Sequence, residues 1–292
     1  VMRIFDTIYM AALNLYRRWA RSLLTVIGVI IGTASIVIMI AIGYTNLLQF
    51  DEIFEKSELT KIEIMAPNET MGQRVLRLDD VSIAAFGELQ HVESVVPIKY
   101  IQAYAEVDRY HADYLHIIGV PVDSMPNLVE LQKGRYPSAG SSMPELIMGR
   151  GAASNFIQSI EDYRKSDYAG PSLDWLKTPV DIYLGGNATV EESDMPSSRR
   201  YRSSVVGIIE DEDEEYPNHD IYISLDSARR IIQENYKLSH ELGVNANTYD
   251  SAYVYVDEMS NVKDVLSVIR SYGFEAWSNT QWIEEVQRQQ RA

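Results

Sequence analysis

The chain has 292 residues and a formal charge of −16 at neutral pH, enough length for a membrane segment plus one or two globular cores. That acidic balance excludes nucleic acid and anionic lipid headgroups as natural partners, because both carry the same sign. Cysteine is absent, which excludes disulfides, Cys-ligated zinc and thiol chemistry.

In residues 1–22, Ile4, Ile8, Ala12, Leu15 and Trp19 recur at helical spacing, with Arg3, Asp6, Asn14 and Arg17 elsewhere on the wheel. The spacing predicts an amphipathic helix on the cytoplasmic face of a membrane. Docking of a cytoplasmic partner is a compatible role for Ile4, Ile8, Ala12, Leu15, Arg17 and Arg18. Residues 23–42 then read LLTVIGVIIGTASIVIMIAI, with no charge and only Thr25, Thr33 and Ser35 as polar side chains. Such a run, at ~1.5 Å per residue, crosses a hydrocarbon core of ~30 Å. It exceeds the ~7–15 apolar residues of a signal peptide, and Gly43-Tyr44-Thr45-Asn46 offers no A-x-A cleavage pattern. Gly28 and Gly32, extended by Ser35, form a small-residue stripe that permits close helix packing in lipid; neutral occupancy by common membrane-helix residues is the alternative.

Arg3, Arg17, Arg18 and Arg21 precede the span, whereas Asp51, Glu52 and Glu55 follow it, so the N-terminus is expected in the cytoplasm and the main domain outside. Four Arg against one Asp give +3 in residues 1–50, which leaves −19 on residues 51–292. Residues 43–59, with Leu47, Leu48, Phe50, Ile53, Phe54 and Leu59, can extend the helix as a stalk whose weak point is Gly43.

The outer region holds two similar units. In the first, Lys61 to Ala66 alternates as a strand, Asp79 or Asp80 caps a helix running to about Gln90, and Ser94 to Ile98 is a second strand. In the other, Ala252 to Val256 is a strand, Ser260 caps a helix through about Ser271, and Phe274 to Trp277 is a strand following Gly273. Two β-α-β units combine as a four-stranded sheet with helices on one face, the ferredoxin-like arrangement, here over residues 60–119 and 245–280. Between them, strands are expected at Tyr100 to Val107, Tyr114 to Val120, Glu145 to Met148, Val180 to Leu184, Ser203 to Ile209 and Ile221 to Ser224. Helices are expected at Arg150 to Ile157 and at Leu225 to Tyr236, the latter capped near Asp226. Residues 120–244 thus read as an inserted β-rich lobe, and Gln281 to Arg291 as a closing helix. The fold class is α+β. Segments Met65 to Arg77, Glu161 to Pro179 and Asn187 to Arg202 read as surface loops.

Little in the chain nominates chemistry. There is no G-x-x-x-x-G-K-[ST] for phosphate, no H-E-x-x-H and no G-x-S-x-G, so no catalytic residue and no bound cofactor is expected. Histidines 91, 111, 116, 219 and 240 lack metal spacing. Glu210, Asp211 and Asp213 open an acidic run that resembles a Ca²⁺ attractor only in charge; it lacks the spaced ligands and glycine of a calcium loop, and a solvated loop is the plainer reading. Tyrosine is abundant at 19 residues, and Tyr100, Tyr104, Tyr110 and Tyr114, or Tyr249, Tyr253 and Tyr255, form either a recognition surface or a core edge with wet hydroxyls.

The run from Arg21 to Val37, preceded by Ala12-Leu-Asn-Leu and followed by Ala41-Ile-Gly, resembles the first membrane helix of MacB-type ABC transporter permeases. Leu78-Asp-Asp-Val, His116-Ile-Ile-Gly-Val-Pro-Val-Asp, Lys133-Gly-Arg and Val205-Val-Gly-Ile-Ile resemble that family's outer segments. The resemblance implies a permease subunit in the cell membrane. It would pair with a second permease chain and work with a cytoplasmic ABC ATPase that holds ATP and Mg. An extracytoplasmic accessory protein is a further possible partner. It also implies a ferredoxin-like porter lobe with an inserted second lobe. Family members carry three further membrane helices after this domain, so the sequence is expected to be a fragment of a longer permease. A single-span receptor or adhesion protein is the rival reading, and an anchored hydrolase a third.

Overall fold

The computed structural model describes residues 19–53, 59–66, 76–159, 161–164, 168–185, 198–209 and 218–279. The chain divides into two compact units, Val1–Glu58 and Leu59–Ala292, each taken by itself below.

In the first unit, helix α1 (Trp19–Ile53) runs unbroken through Gly43. Its segment Leu23–Ile42 is long and apolar enough to cross a membrane. The polar hydroxyls are satisfied within the helix: Thr33 Oγ1 donates to Val29 O at 2.9 Å and Ser35 Oγ to Ile31 O at 2.8 Å. The predicted amphipathic helix, with Ile4, Ile8, Ala12, Leu15, Arg17 and Arg18, lies outside the described residues, as do 54–58 of the stalk and the closing helix after Asn279.

The second unit begins with β1 (Lys61–Met65), α2 (Asp80–Gly87) and β2 (Val92–Val107) and closes with β9 (Ser251–Val256), α5 (Val262–Ser271) and β10 (Glu275–Ser278). These strands pair antiparallel in the order β10-β1-β9-β2. That is the ferredoxin-like order implied by two β-α-β units. Alternation explains it: Ile62 and Ile64 face a core with Phe86, Val254, Leu266 and Ile269, while Lys61 and Glu63 face away. Asp79 caps α2, its carboxylate accepting from Ser82 N at 3.0 Å.

The inserted lobe is a closed ring. Here β3 (Tyr110–Val120), β4 (Leu131–Gly134), β5 (Glu145–Met148), β6 (Pro179–Leu184), β7 (Tyr201–Ile209) and β8 (Ile221–Ser224) follow in chain order. The second half of β2 pairs with β3, β3 with β8, β8 with β5, β5 with β7, β7 with β6, and β6 again with β2. A six-stranded barrel results, with β4 appended to β7, and closure leaves few free edges. Its interior is filled by Ile101, Ala103, Leu115, Ile117, Leu146, Ile182, Val205 and Ile223. Helix α3 (Leu225–Glu234) packs Ala228, Ile231 and Ile232 onto this core, and α4 (Tyr236–Glu241) follows it.

Several boundaries differ from the sequence reading. Ser94 to Ile98 and Tyr100 to Val107 are not two strands but one, β2, so segment 60–119 contributes to both lobes. Arg150 to Ile157 is not an α-helix: Arg150–Asn155 forms 3₁₀ turns and Ile157 bridges His111. The geometry there is set by Gly149 and Gly151, whose amides donate to Asp220 O and Asn218 O. The helix expected at Leu225 to Tyr236 ends at Glu234, and its cap is Ser224, not Asp226: the Ser224 hydroxyl accepts from Ser227 N at 3.2 Å. Ser260 does not cap α5; it lies in a 3₁₀ turn, Met259–Asn261, ahead of it.

Candidate functional site

The place where the two lobes meet is built around the middle of β2. Pairing with β9 ends at Ile98↔Ser251, and pairing with β3 begins at Lys99↔Gly119, on the opposite edge of β2. Asp250, just before β9, covers the handover. Its amide donates to Ile98 O at 3.0 Å, and its carboxylate accepts from Tyr100 N at 2.7 Å and from Lys99 Nζ at 3.1 Å. One side chain thus continues the ladder where the β9 backbone departs. Lys99 is only 2% exposed, and such a charge persists in a core only with a partner of this kind.

Helix α3 ties the same joint from one face. Leu225 at its start belongs to the ferredoxin-like core, whereas Ala228 and Ile231 belong to the barrel core. Arg229 reaches Asp80 at the start of α2, Nη2 to Oδ1 2.7 Å, and lies over the Tyr249 ring at 5.1 Å. The Tyr249 hydroxyl accepts from Arg229 and donates to Asp80. The Tyr249 hydroxyl first, and then Arg229, hold the Asp80 carboxyl below the usual carboxylate range. Burial and the Asp80 hydrogen bond push the Tyr249 phenol up, so it remains a neutral donor.

On the opposite face, Ile98, Val120, Met125, Val129, Ile147 and Ile209 form a separate apolar cluster beneath the 3₁₀ turn Val122–Asn127. The joint is therefore packed on both sides. Gly119 makes the α3 side possible, since a Cβ there would stand 2.7 Å from Ala228 Cβ. Gly134, in Lys133-Gly-Arg, has φ +93° and leaves no room for a Cβ, which would lie 2.1 Å from Val206 O. The adjoining Arg135 forks onto Glu145, with Nη2–Oε1 at 2.6 Å and Nη1–Oε2 at 3.0 Å, and Arg135 holds Glu145 below its ordinary pKa.

Of the residues singled out in the sequence, Gly28, Gly32 and Ser35 lie on α1. A Cβ at Gly28 or Gly32 would meet nothing within 4 Å. Glu210, Asp211 and Asp213 lie outside the described residues. Among the described residues no three His, Asp or Glu side chains gather as a metal-binding group. The histidines are dispersed: His91 pairs with Asp257, His116 stacks on Tyr100, and His240 lies tilted against Tyr236. Sequence reasoning missed Lys99, Asp250 and Arg229. A lysine flanked by the apolar residues of VVPI and YI was the available signal for the first of them.

An apolar helix of membrane-crossing length, followed by a ferredoxin-like lobe whose second strand runs on into an inserted barrel, defines a class: α+β domains that follow a candidate membrane span. More particularly, the chain belongs to the MacB-like periplasmic core domain family, whose profile matches residues 22–272. It is 34% identical over 100 residues to the pyoverdine export ATP-binding/permease protein PvdT of Pseudomonas savastanoi pv. phaseolicola, covering 32% of this chain and 15% of that protein. The PvdT of Pseudomonas syringae pv. syringae is 32% identical over 117 residues, 38% of this chain and 17% of that one. The chain thus spans a small part of these relatives' length. The periplasmic region of MacB from Actinobacillus actinomycetemcomitans shares the fold, with a TM-score of 0.50 at 12% identity over 81% of this chain and 98% of that one.

Proposed function

We propose that this chain is part of an ABC transporter permease whose outer domain moves as one body when a separate cytoplasmic ATPase binds and hydrolyses ATP. The observation that carries the reading is β2: one strand belongs to both lobes, and its midpoint is fixed by Lys99, Asp250 and the α3 contacts. Motion delivered to either lobe reaches the other without an intervening loop. Coupling of this kind needs a rigid element with two discrete placements, and the packed joint supplies the rigidity. Family membership and the ATP-binding/permease names of the relatives support the class. Arginines before the span and carboxylates after it favour a cytoplasmic N-terminus. In this reading Arg17, Arg18 and the apolar positions Ile4 to Leu15 face the ATPase. ATP and Mg stay on that partner, two permease chains pair, and Gly28, Gly32 and Ser35 lie in a helix contact.

The test is reconstitution of the full-length gene product with the ATPase encoded beside it in nanodiscs. Spin labels on the two lobes, and on two copies of the chain, report distances with and without a trapped nucleotide. The reading expects inter-copy distances to change while interlobe distances hold. It is refuted if the ATPase neither binds the chain nor alters any distance.

A further inference from the structure

Of the tyrosines that the sequence left between recognition surface and core edge, Tyr249 is buried in the ferredoxin-like core and Tyr100 and Tyr253 pack against the Ile98 cluster. On β2 and β3 the residues Ala103, Ala105, Leu115 and Ile117 point into the barrel, and the alternating positions point out. On that outer side Tyr100 stacks on His116 with ring centroids 5.0 Å apart but packs against the Ile98 cluster, and beyond it the Tyr114 hydroxyl donates to Gln102 Oε1 at 3.0 Å. Tyr104 stacks on His111 at 6.4 Å and leans on Tyr183 of β6 at 5.8 Å. Tyr110, by contrast, packs against the barrel core.

Two carboxylates share the flank. Glu106 accepts from the hydroxyls of Tyr104 at 3.0 Å and Tyr183 at 3.4 Å; both hydrogen-bond partners are phenols, and the nearby Arg200 guanidinium, which acts on Glu106 electrostatically, makes its ion pair with Asp181 instead. Burial, and then the Glu106 hydrogen bond, raise the Tyr104 phenol, which keeps it protonated. Asp113 stands 3.7 Å from His111 Nε2. Asp181, at the end of the patch, is already paired with Arg200 at 2.8 Å. Tyr114 is 48% exposed, although it is a large aromatic side chain on a strand.

We propose that this flank is a docking surface for a basic polypeptide segment, with its Lys or Arg side chains against the exposed ring of Tyr114 and the edges of Tyr104, and their charge met by Glu106 and Asp113. Charge complementarity selects the occupant. The outer region carries −19, which repels acidic or phosphate-bearing ligands, and tyrosine faces with nearby carboxylates attract cations. The four residue steps from Gln102 to Glu106 cover ~13 Å, the reach of an extended segment of about four residues. The inference does not depend on the transport reading.

The full chain in nanodiscs of neutral phosphatidylcholine is titrated into a fluorescein-labelled peptide of about ten alternating Lys and Gly residues, followed by anisotropy up to about 1 mM. Tyr114→Leu and Glu106→Gln are each expected to raise Kd about five-fold or more, and the lysine-acetylated peptide is expected not to bind. A Glu214→Gln/Glu215→Gln variant, in the acidic run, is expected to stay within about two-fold of the parent. Should Tyr114→Leu misfold by circular dichroism, Glu106→Gln decides alone, since it keeps shape and removes charge. The proposal is overturned by flank variants that bind like the parent, by an acidic-run variant that loses as much affinity as they do, or by absence of saturable binding to the parent.

Discussion

Replacement of Asp250 by alanine strips two groups at once. Lys99, 2% exposed, loses its counter-charge, and Tyr100 N–H loses its acceptor. Deleting one partner of a buried ion pair costs ~3–5 kcal/mol. Asp250 itself is 39% exposed, so water partly fills its place, and the expected loss is at the lower end, ~3 kcal/mol. For a domain of this size that lowers Tm by ~6–12 °C. Lys99→Met behaves differently. It removes the buried charge, keeps a stem of similar length, and leaves Asp250 solvated and still bonded to Tyr100, so its cost is ~1 kcal/mol or less. The double variant therefore melts above Asp250→Ala. Near-ultraviolet circular dichroism of the four proteins measures the cycle, because that signal comes from aromatic side chains, of which α1 holds only Trp19, Tyr44 and Phe50. If Asp250→Ala melts within ~1 kcal/mol of the parent, or Lys99→Met is as damaging, the carboxylate does not hold the joint.

Four further expectations follow from the same geometry. Gly119→Val forces a side chain against Ala228 and destabilises the domain by ~1–3 kcal/mol in denaturant titration, whereas Gly87→Ala, at the end of α2 with open space around it and no positive φ, costs less. Leu225→Ala opens a cavity in the ferredoxin-like core from a helix of the other lobe; a loss of ~2–4 kcal/mol with faster amide exchange in α2 is expected, and unchanged exchange there would sever the proposed link. Glu145 titrates below its unfolded value, so its contribution is present above about pH 4.3 and is lost as pH falls through the lower folded value; Arg135→Ala removes the largest cause and reduces that part of the acid sensitivity, with the Ser138 amide left to hold the remainder, measured as Tm against pH between about 2 and 5. Gly28→Ile with Gly32→Ile meets no obstacle within α1 itself, so reduced self-association in a membrane FRET assay reports helix packing directly, and unchanged association rejects it.

The ferredoxin-like lobe was legible because each of its signals is local. Ile62 and Ile64 alternate with Lys61 and Glu63, Asp79 stands where a cap is needed, and Gly273, with φ +97°, ends α5. The barrel was legible only as separate strands, since its closure rests on long-range pairs such as Tyr104↔Tyr183 that no window contains. Continuity of β2 was hidden at Lys99, the one residue between the two expected strands, Ser94 to Ile98 and Tyr100 to Val107. The fold accommodates Pro97 because residues 98 and 100 present their backbone groups to β9 and Asp250, so position 97 faces the other edge, before β3 begins to pair at Lys99. Ser224 was overlooked as a cap because it is also the last residue of β8. The joint itself was unreadable: Lys99 and Asp250 are 151 residues apart, and neither belongs to a motif.

A strand shared by two sheets also determines how the domain answers force. Tension applied along β2 loads its ladders with β9, β3 and β6 lengthwise, so many hydrogen bonds must yield together. A hinge loop in the same place would stretch and absorb the displacement. β2 is thus a continuous connection between the two lobes, with a side chain, Asp250, as the splice.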